Sequence, residues 1–411
     1  MIKRSWRSAE FFPRHVSRVA AVLGLLSTVV SPAHAAPFVP TDDTFVLEHL
    51  PDAGDFQARA LRTKHRALAA DPHNLALALD VARGDLDRSR ALGDPRFLGR
   101  AEAALAPWPV SPMAPPEVIL LRAIILQSNH DFAGALSALA QVLHDRPKSA
   151  QAWLTRAAIY QAQANYSAAI ADCGQFANLI IGLAPDVCTA SAMSLTGHAP
   201  LALRAVALSL TANASEAARE PAVAMWAMTL EAETAERLGD ISAETWFARA
   251  MALDSHDPYL LGAWSDWLLD HGCANEVVGL LAGYTRIDLL LLRLTLAEQA
   301  THDPALAGHV ADLAARFEAS RLRGDTVHRR EEARFQLALL HQPAAALALA
   351  RVNWNVQREP ADARILLEAA LAAGRPAAAD PVLAWIRTNS VQDIHLAGLA
   401  NRLHAASTTK S

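Results

Sequence analysis

The stretch AQAWLTRAAIYQAQANYSAAIADC, residues 150–173, has a counterpart elsewhere in this chain. Moved 34 positions toward the N-terminus, it falls on a second stretch with the same kinds of residues at the same places. The matches place Arg156 on Arg122, Ala157 on Ala123, Tyr160 on Leu126, Tyr166 on Phe132 and Ala169 on Ala135. A fixed period of this length indicates stacked copies of one structural unit. We therefore expect Trp153 and Tyr160 to lie in the core of this repeated unit.

The two consecutive units resemble the tetratricopeptide repeat (TPR), whose pattern is W-x2-L-G-x2-Y, then A-x3-F, then P. Trp153, Ala157, Tyr160 and Ala169 occupy the Trp, Gly, Tyr and Ala places, and in the upstream unit Ala123, Leu126, Ala135, Leu139 and Pro147 occupy the Gly, Tyr, Ala, Phe and Pro places. The chain departs from the pattern at Arg122 and Arg156, which stand where the family has Leu. It departs again at Cys173, in the Phe place, and at Ile181, in the Pro place.

The resemblance implies an all-α fold, a right-handed α-solenoid of stacked TPR-like antiparallel helix pairs. One pair cannot bury its apolar face alone, so neighbouring pairs stack to form a continuous core. Turn residues recur along the chain, and no period of two is sustained. We expect about nine or ten helix pairs.

The first 35 residues have the pattern of a secretory signal peptide. Five basic residues precede an apolar run at 19–30, and Ala33 and Ala35 form an A-x-A cleavage site. The run is too short to span a membrane, which takes about 20 apolar residues. The sequence therefore predicts cleavage after Ala35 and export across the inner membrane, to the periplasm of a bacterium.

The remaining chain can be divided according to how closely each segment follows the repeat pattern. We expect an extended lead-in at 36–55 and TPR-like repeats at 56–198, clearest at 116–181. Degenerate helical repeats follow at 199–328. C-terminal repeats with a cap follow at 329–406, and 407–411 form a disordered tail.

The composition excludes some classes of partner. The chain of 411 residues is 52% hydrophobic and 19% charged, which is enough for a large core. Removing the signal peptide leaves 32 basic and 41 acidic residues, a net charge of −9. Such a chain should not favour nucleic acid or anionic membrane. No later segment is both apolar and long enough for a transmembrane span.

The three cysteines bear on the compartment, because an exported protein can keep disulfides. Cys173 is expected on the second helix of its unit and Cys188 early on the next first helix. Packed helices bring such residues within the Cα distance of a disulfide, so we predict a Cys173–Cys188 bond against the alternative of two buried thiols. Cys273 is expected at an exposed turn, unpaired.

No pattern for catalysis, metal or cofactor binding occurs. There is no H-E-x-x-H, Cys-x2-Cys, G-x-S-x-G or phosphate-binding Gly-rich loop. We expect no catalytic residue, no metal and no cofactor. The stretch 302–328 is the one place where His and acidic residues accumulate, and it would carry a less expected hydrolase or metal site. The charge run RREEARF, 329–335, is interpreted as the exposed entry of a helix.

In TPR proteins the first helices of the pairs line a concave face where partner peptides lie. Carried over, this register gives candidate partner-binding residues at Leu120, Ile124, Gln127, Ser128, Leu154, Ala158, Gln161 and Ala162, with Arg83 and Arg90 from an earlier pair. The resemblance thus implies a non-enzymatic scaffold or adaptor for proteins or peptides. The alternative is an envelope glycan or small-ligand module, for which Trp264 and Trp267 are candidates.

Overall fold

A computed structural model describes residues 56–110, 113–325 and 327–408 of the chain. The predicted signal peptide and lead-in, together with the last three residues of the predicted tail, lie outside these residues and stay predictions. Within the described ranges every regular element is a helix and none is a strand. The all-α fold class is therefore confirmed.

The described residues form 21 α-helices and one 3₁₀ helix, Pro376–Ala379. The α-helices are α1 (Phe56–Ala70), α2 (Leu75–Leu92), α3 (Arg96–Leu105), α4 (Pro116–Ser128), α5 (Phe132–Asp145), α6 (Ala150–Ala162), α7 (Tyr166–Ala177), α8 (Leu183–Met193), α9 (Ala199–Ala212), α10 (Ala214–Arg219), α11 (Pro221–Leu238), α12 (Ser242–Met251), α13 (Pro258–Asp270), α14 (Ala274–Leu281), α15 (Asp288–Thr301), α16 (Leu306–Arg323), α17 (Arg329–Ala338), α18 (Pro343–Trp354), α19 (Pro360–Ala372), α20 (Asp380–Asn389) and α21 (Ile394–Thr408).

Nine helix pairs can be recognised in the described part of the chain, within the predicted nine or ten. They are α2–α3, α4–α5, α6–α7, α8–α9, α11–α12, α13–α14, α15–α16, α17–α18 and α19–α20. Every pair has one residue with a positive φ, between 54° and 74°, in the turn that joins its helices. These residues are Gly93, His130, Ala164, Gly197, Gly239, Gly272, His302, His341 and Gly374. A left-handed residue in this turn lets the chain reverse from the first helix into the second.

The 34-residue period is visible in the caps of the second helices. The Asp131 side chain accepts a hydrogen bond from the backbone at the start of α5, and Asn165 does the same at the start of α7. Such caps satisfy backbone amides that have no partner within the helix. Phe132 and Tyr166, one position further on, are both buried. The same local solution therefore recurs one period later.

Buried alanines explain how the pairs pack. Ala123 and Ala157, at the Gly place of the pattern, are 0% and 3% exposed, and Ala135 and Ala169 are equally buried. Small residues at these places let neighbouring helix backbones approach closely. Trp153 packs against this core and donates its indole N–H to the Pro147 carbonyl at 2.8 Å.

Helices far apart in sequence also meet. Helix α2 contacts α13, and α11 contacts α21. The Trp385 indole N–H donates to the Tyr166 hydroxyl at 3.1 Å, which joins α20 to α7. The Arg358 amide donates to the Ala162 carbonyl at 2.7 Å. The stacked pairs of residues 56–408 therefore curl back on themselves around an internal space.

Of the predicted boundaries between groups of repeats, one divides a helix pair and another lies between two pairs. The division at 198/199 separates α8 from α9, which are the two helices of one pair, whereas that at 328/329 lies at the start of α17. Helix α21 continues to Thr408 and so includes the first two residues of the predicted tail. None of the helices in the described ranges has the length and apolar character needed to cross a membrane.

Candidate functional site

The internal space is a cavity of about 1160 Å³. The first helix of each of the nine pairs contributes to its wall, so the cavity is the enclosed concave face of the array. Each first helix contributes at least one lining residue. In chain order, one from each helix is Arg90, Ser128, Gln161, Ser191, Trp226, Tyr259, Leu289, Arg334 and Arg364. The C-terminal helix α21 and the end of α16 complete the wall.

Three of the ten predicted partner-binding residues, Arg90, Ser128 and Gln161, line this cavity. The other seven do not: Ile124 and Ala162 are buried in the core, Leu120 and Leu154 are half-buried against it, Gln127 is half-buried, and Ala158 and Arg83 are exposed. The structure therefore brings together one residue near the C-terminal end of each predicted helix, whereas the other predicted residues are buried, half-buried or turned outward.

The two arginines at the Leu place of the TPR pattern stabilise the repeats. Arg156 makes a bidentate pair with Asp172 on α7, at 2.7 and 2.8 Å, and its guanidinium lies 4.7 Å from the Trp153 ring centre. Arg122 instead donates to three backbone carbonyls at the C-terminal end of α3, those of Leu105, Trp108 and Pro109. Both side chains hold neighbouring helices together and neither lines the cavity.

Ion pairs between different helices cover one side of the cavity wall. Asp266 on α13 accepts from Arg293 on α15 at 2.5 Å and from Arg334 on α17 at 2.6 Å. Burial alone would raise the pKa of Asp266, but the two guanidinium groups more than offset this and hold the pKa below its usual range. Asp266 therefore stays ionised and links three first helices.

The charge run at 329–335 belongs to this wall, so its interpretation as an exposed helix entry was wrong. Glu331 and Glu332 are only 9% and 6% exposed. Arg330 pairs with Glu331 at 3.1 Å and with Glu359, the N-cap residue of α19, at 3.3 Å. A solvated face and a charged face turned into an internal cavity have the same local sequence pattern, which is why the sequence did not distinguish them.

An acidic patch on α11 faces the same space. Glu233 and Glu236, one turn apart, line the cavity and have no ion pair among the described residues. Burial raises the pKa of Glu233, although its oxygen accepts from the Tyr259 hydroxyl at 2.7 Å. Burial and the neighbouring carboxylates, first Asp270, raise the pKa of Glu236 to about 8. The wall thus contains two acidic groups whose ionisation burial disfavours and which form no ion pair among the described residues.

Glu236 also lies close to two further potential metal ligands. A nitrogen of His395 on α21, a carboxylate oxygen of Asp270 and one of Glu236 all lie within 4.8 Å of one another. No sequence motif joins these residues, because each comes from a different helix. The sequence feature that could have indicated them is the run of glutamates in EAETAERL, at the end of α11. The rest of this first helix is rich in apolar residues.

The cysteines lie apart from the cavity, under the turn between α7 and α8. Cys173 and Cys188 form a disulfide with their Cα atoms 5.7 Å apart. Both are nearly fully buried, in a small cluster with Phe176 and Ala157. Cys273, at the turn before α14, is a free, half-buried thiol.

Among the His and acidic residues of the stretch considered for an enzymatic site, Asp325 and His328 line the cavity. His302 is the left-handed turn residue after α15, and His309 on α16 lies 2.8 Å from a Glu298 carboxylate oxygen. Trp264 and Trp267 stack on each other with their ring centres 4.9 Å apart, and neither lines the cavity. Neither of these two histidines and neither tryptophan is among the described residues that line the cavity.

No known protein-family model matches the chain. No curated protein matches it either. Solved structures similar to it include that of yeast Tom70, at 10% identity and a TM-score of 0.38 over 86% of each chain. Another is the TPR domain of P58(IPK), at 14% identity and a TM-score of 0.22, over 86% of this chain and 99% of that one. At these scores the likenesses add nothing to what the helices themselves establish, which is an all-α array of TPR-like helix pairs.

Proposed function

We propose that this chain is an exported, non-enzymatic scaffold or adaptor that binds a segment of a partner protein or peptide in its internal cavity. The observation that supports this most directly is the convergence of all nine first helices on one wall. Repeat arrays bind through such extended concave surfaces, where affinity comes from contacts spread over several repeats.

The chemistry of the wall suggests the kind of segment. Ser128, Gln161 and Ser191 offer hydroxyl and amide groups that can bond to a peptide backbone. Burial raises the pKa values of Glu233 and Glu236, and neither carboxyl group has an ion pair among the described residues. A basic side chain beside them would lower these pKa values and pair with the resulting carboxylates, so we expect the bound segment to carry one there.

Two features favour an exported protein. The N-terminal 35 residues have the signal-peptide pattern, and Cys173 and Cys188 are placed for a disulfide. Disulfides persist in oxidising compartments such as the bacterial periplasm and are rare in the cytosol. We therefore propose the periplasm as the place of action.

A photo-cross-linking amino acid at position 161 tests the binding site in living cells. The matched control carries the same amino acid at position 175. Both positions hold a glutamine in the α6–α7 pair, but Gln161 lines the cavity whereas Gln175 is exposed on the second helix. We expect a specific cross-linked protein from position 161 and none from position 175.

Two results would contradict the proposal. A product formed equally from both positions would place the partner elsewhere on the surface. No product from either position, together with binding of an oligosaccharide or other small ligand by the purified protein, would instead favour the envelope glycan or small-ligand alternative. Trp226 and Tyr259 are the aromatic side chains of the wall whose fluorescence such a ligand would change.

A further inference from the structure

Three helices that are distant in sequence meet where the C-terminal helix closes against the middle of the array. Glu236 lies on α11, Asp270 is the last residue of α13, and His395 lies in the first turn of α21. Their donor atoms all lie within 4.8 Å of one another. We propose that these three residues form a binding site for a divalent transition-metal ion, with Zn²⁺ as the best match.

The donor set selects this class of ion. One imidazole nitrogen with two carboxylate oxygens suits zinc and related transition metals. Calcium and magnesium prefer oxygen ligands alone and would not use His395. Three protein ligands leave one position of a tetrahedral ion open. Because Glu236 and His395 also line the cavity, that open position faces the space where we place the partner.

The distances require only a local adjustment. Around an ion with bonds of about 2.0–2.2 Å, tetrahedral ligand atoms lie roughly 3.4 Å apart. The three donors are therefore at most about 1.4 Å too far from one another. Among the described residues the Glu236 carboxylate has no hydrogen bond or ion pair that would have to be broken, so its side chain can supply this movement.

Asp270 is already oriented by a neighbour, as ligating carboxylates usually are. Both of its oxygens accept from the Arg364 guanidinium, one of them at 2.7 Å, and its side chain is only 15% exposed. Each carboxylate oxygen has two lone pairs, so the arginine leaves acceptor sites free for a metal. Arg364 would act as the group that positions this ligand.

The charge balance also permits a cation. Arg364 is shared between Asp270 and Glu368, and Arg293 and Arg334 are both engaged by Asp266. Glu233 and Glu236 remain without such pairing among the described residues. A bound ion would neutralise this corner and tie α21 to α11 and α13, which strengthens the closure of the array.

Zinc binding by the purified, metal-free protein tests the proposal by isothermal titration calorimetry, with thermal unfolding as a second readout. Parent protein is compared with His395→Ala and Glu236→Gln. The control is His404→Ala, which removes an exposed histidine from the same helix. Circular dichroism establishes that each variant is folded.

We expect one Zn²⁺ per parent chain and a rise in Tm on binding. Each ligand variant should bind at least about tenfold more weakly, since even outer partners of metal ligands change affinity by about 10–100-fold. The His404→Ala variant should match the parent. Failure of the parent to bind zinc stoichiometrically, or equal binding by parent and both ligand variants, would overturn the proposal. Neither outcome depends on a partner protein, so the metal site and the proposed function can fail separately.

Discussion

Replacing Glu231 by glutamine should make the protein more stable than its parent at alkaline pH. Glu231 lies on α11 and is 1% exposed, and neither of its carboxyl oxygens has a hydrogen-bond partner among the described residues. Burial raises the pKa of this group to about 8, against smaller opposing effects of the Ala207 backbone and Arg249. The folded protein therefore holds a proton that the unfolded chain releases.

The sign and size of the effect follow from this difference. Below the ordinary pKa of about 4.5 the group is protonated in both states and does not affect stability. As pH rises toward 8, ionisation of Glu231 lowers the free energy of the unfolded chain. The folded chain keeps this group protonated and is not lowered in the same way, so the parent loses stability. At about 1.4 kcal/mol per pH unit the loss reaches an upper bound of about 5 kcal/mol above pH 8. Glutamine does not ionise and avoids this loss, although its buried amide costs about 1–3 kcal/mol at every pH.

Urea unfolding at about pH 5 and about pH 8.5 measures the effect. We expect the Glu231→Gln variant to be no more stable than the parent at the lower pH and clearly more stable at the higher pH. The exposed Glu244 gives the control, since its replacement by glutamine should change stability by less than about 0.5 kcal/mol at either pH. Parallel pH dependence in parent and Glu231→Gln would refute the assignment of a buried, neutral carboxyl group.

Three further substitutions test how the array is held together. Replacing Cys173 and Cys188 by alanine should cost about 3 kcal/mol, because the bond closes a loop over a sequence separation of 15 residues; thermal unfolding of the parent with reductant should match the variant, and no effect of reductant would argue against the bond. Phe247→Ala should cost about 3–5 kcal/mol in urea unfolding, since the ring is fully buried, and a loss below 1 kcal/mol would be inconsistent with that packing. Arg122→Leu should lower the free energy of unfolding by about 1.5–3 kcal/mol, because three hydrogen bonds from the guanidinium to backbone carbonyls are lost. The control Arg83→Leu, at an exposed site, should cost less than about 0.5 kcal/mol. Equal losses in both variants would contradict a role of Arg122 in holding the end of α3.

The fold could be predicted because its information is local and repeated. A helix pair needs a first helix, a turn residue, a cap and buried small residues, and each of these recurs 34 positions later. Asp131 and Asn165 cap equivalent helices, and Ala123 and Ala157 are buried at equivalent places. One period read from the sequence was therefore enough to place α4 to α7.

The cavity could not be predicted because its information is not local. Whether the array closes depends on a small rotation at every repeat, which accumulates until Trp385 reaches Tyr166. The ion pairs of the wall join helices that no short motif relates, as in the contact of Arg334 with Asp266. For the same reason the TPR register correctly placed Gln161 on the concave face but did not predict that its neighbour Ala162 is buried.

Hydrogen–deuterium exchange on the protein alone and in complex with the partner captured through position 161 shows which helices the partner covers. We expect slower exchange in the first helices of the pairs, above all in α11, α13, α17 and α19, with the second helices unchanged. Slower exchange confined to second helices such as α7, α12 and α14 would contradict binding in the cavity, because the partner would then lie on the outer face.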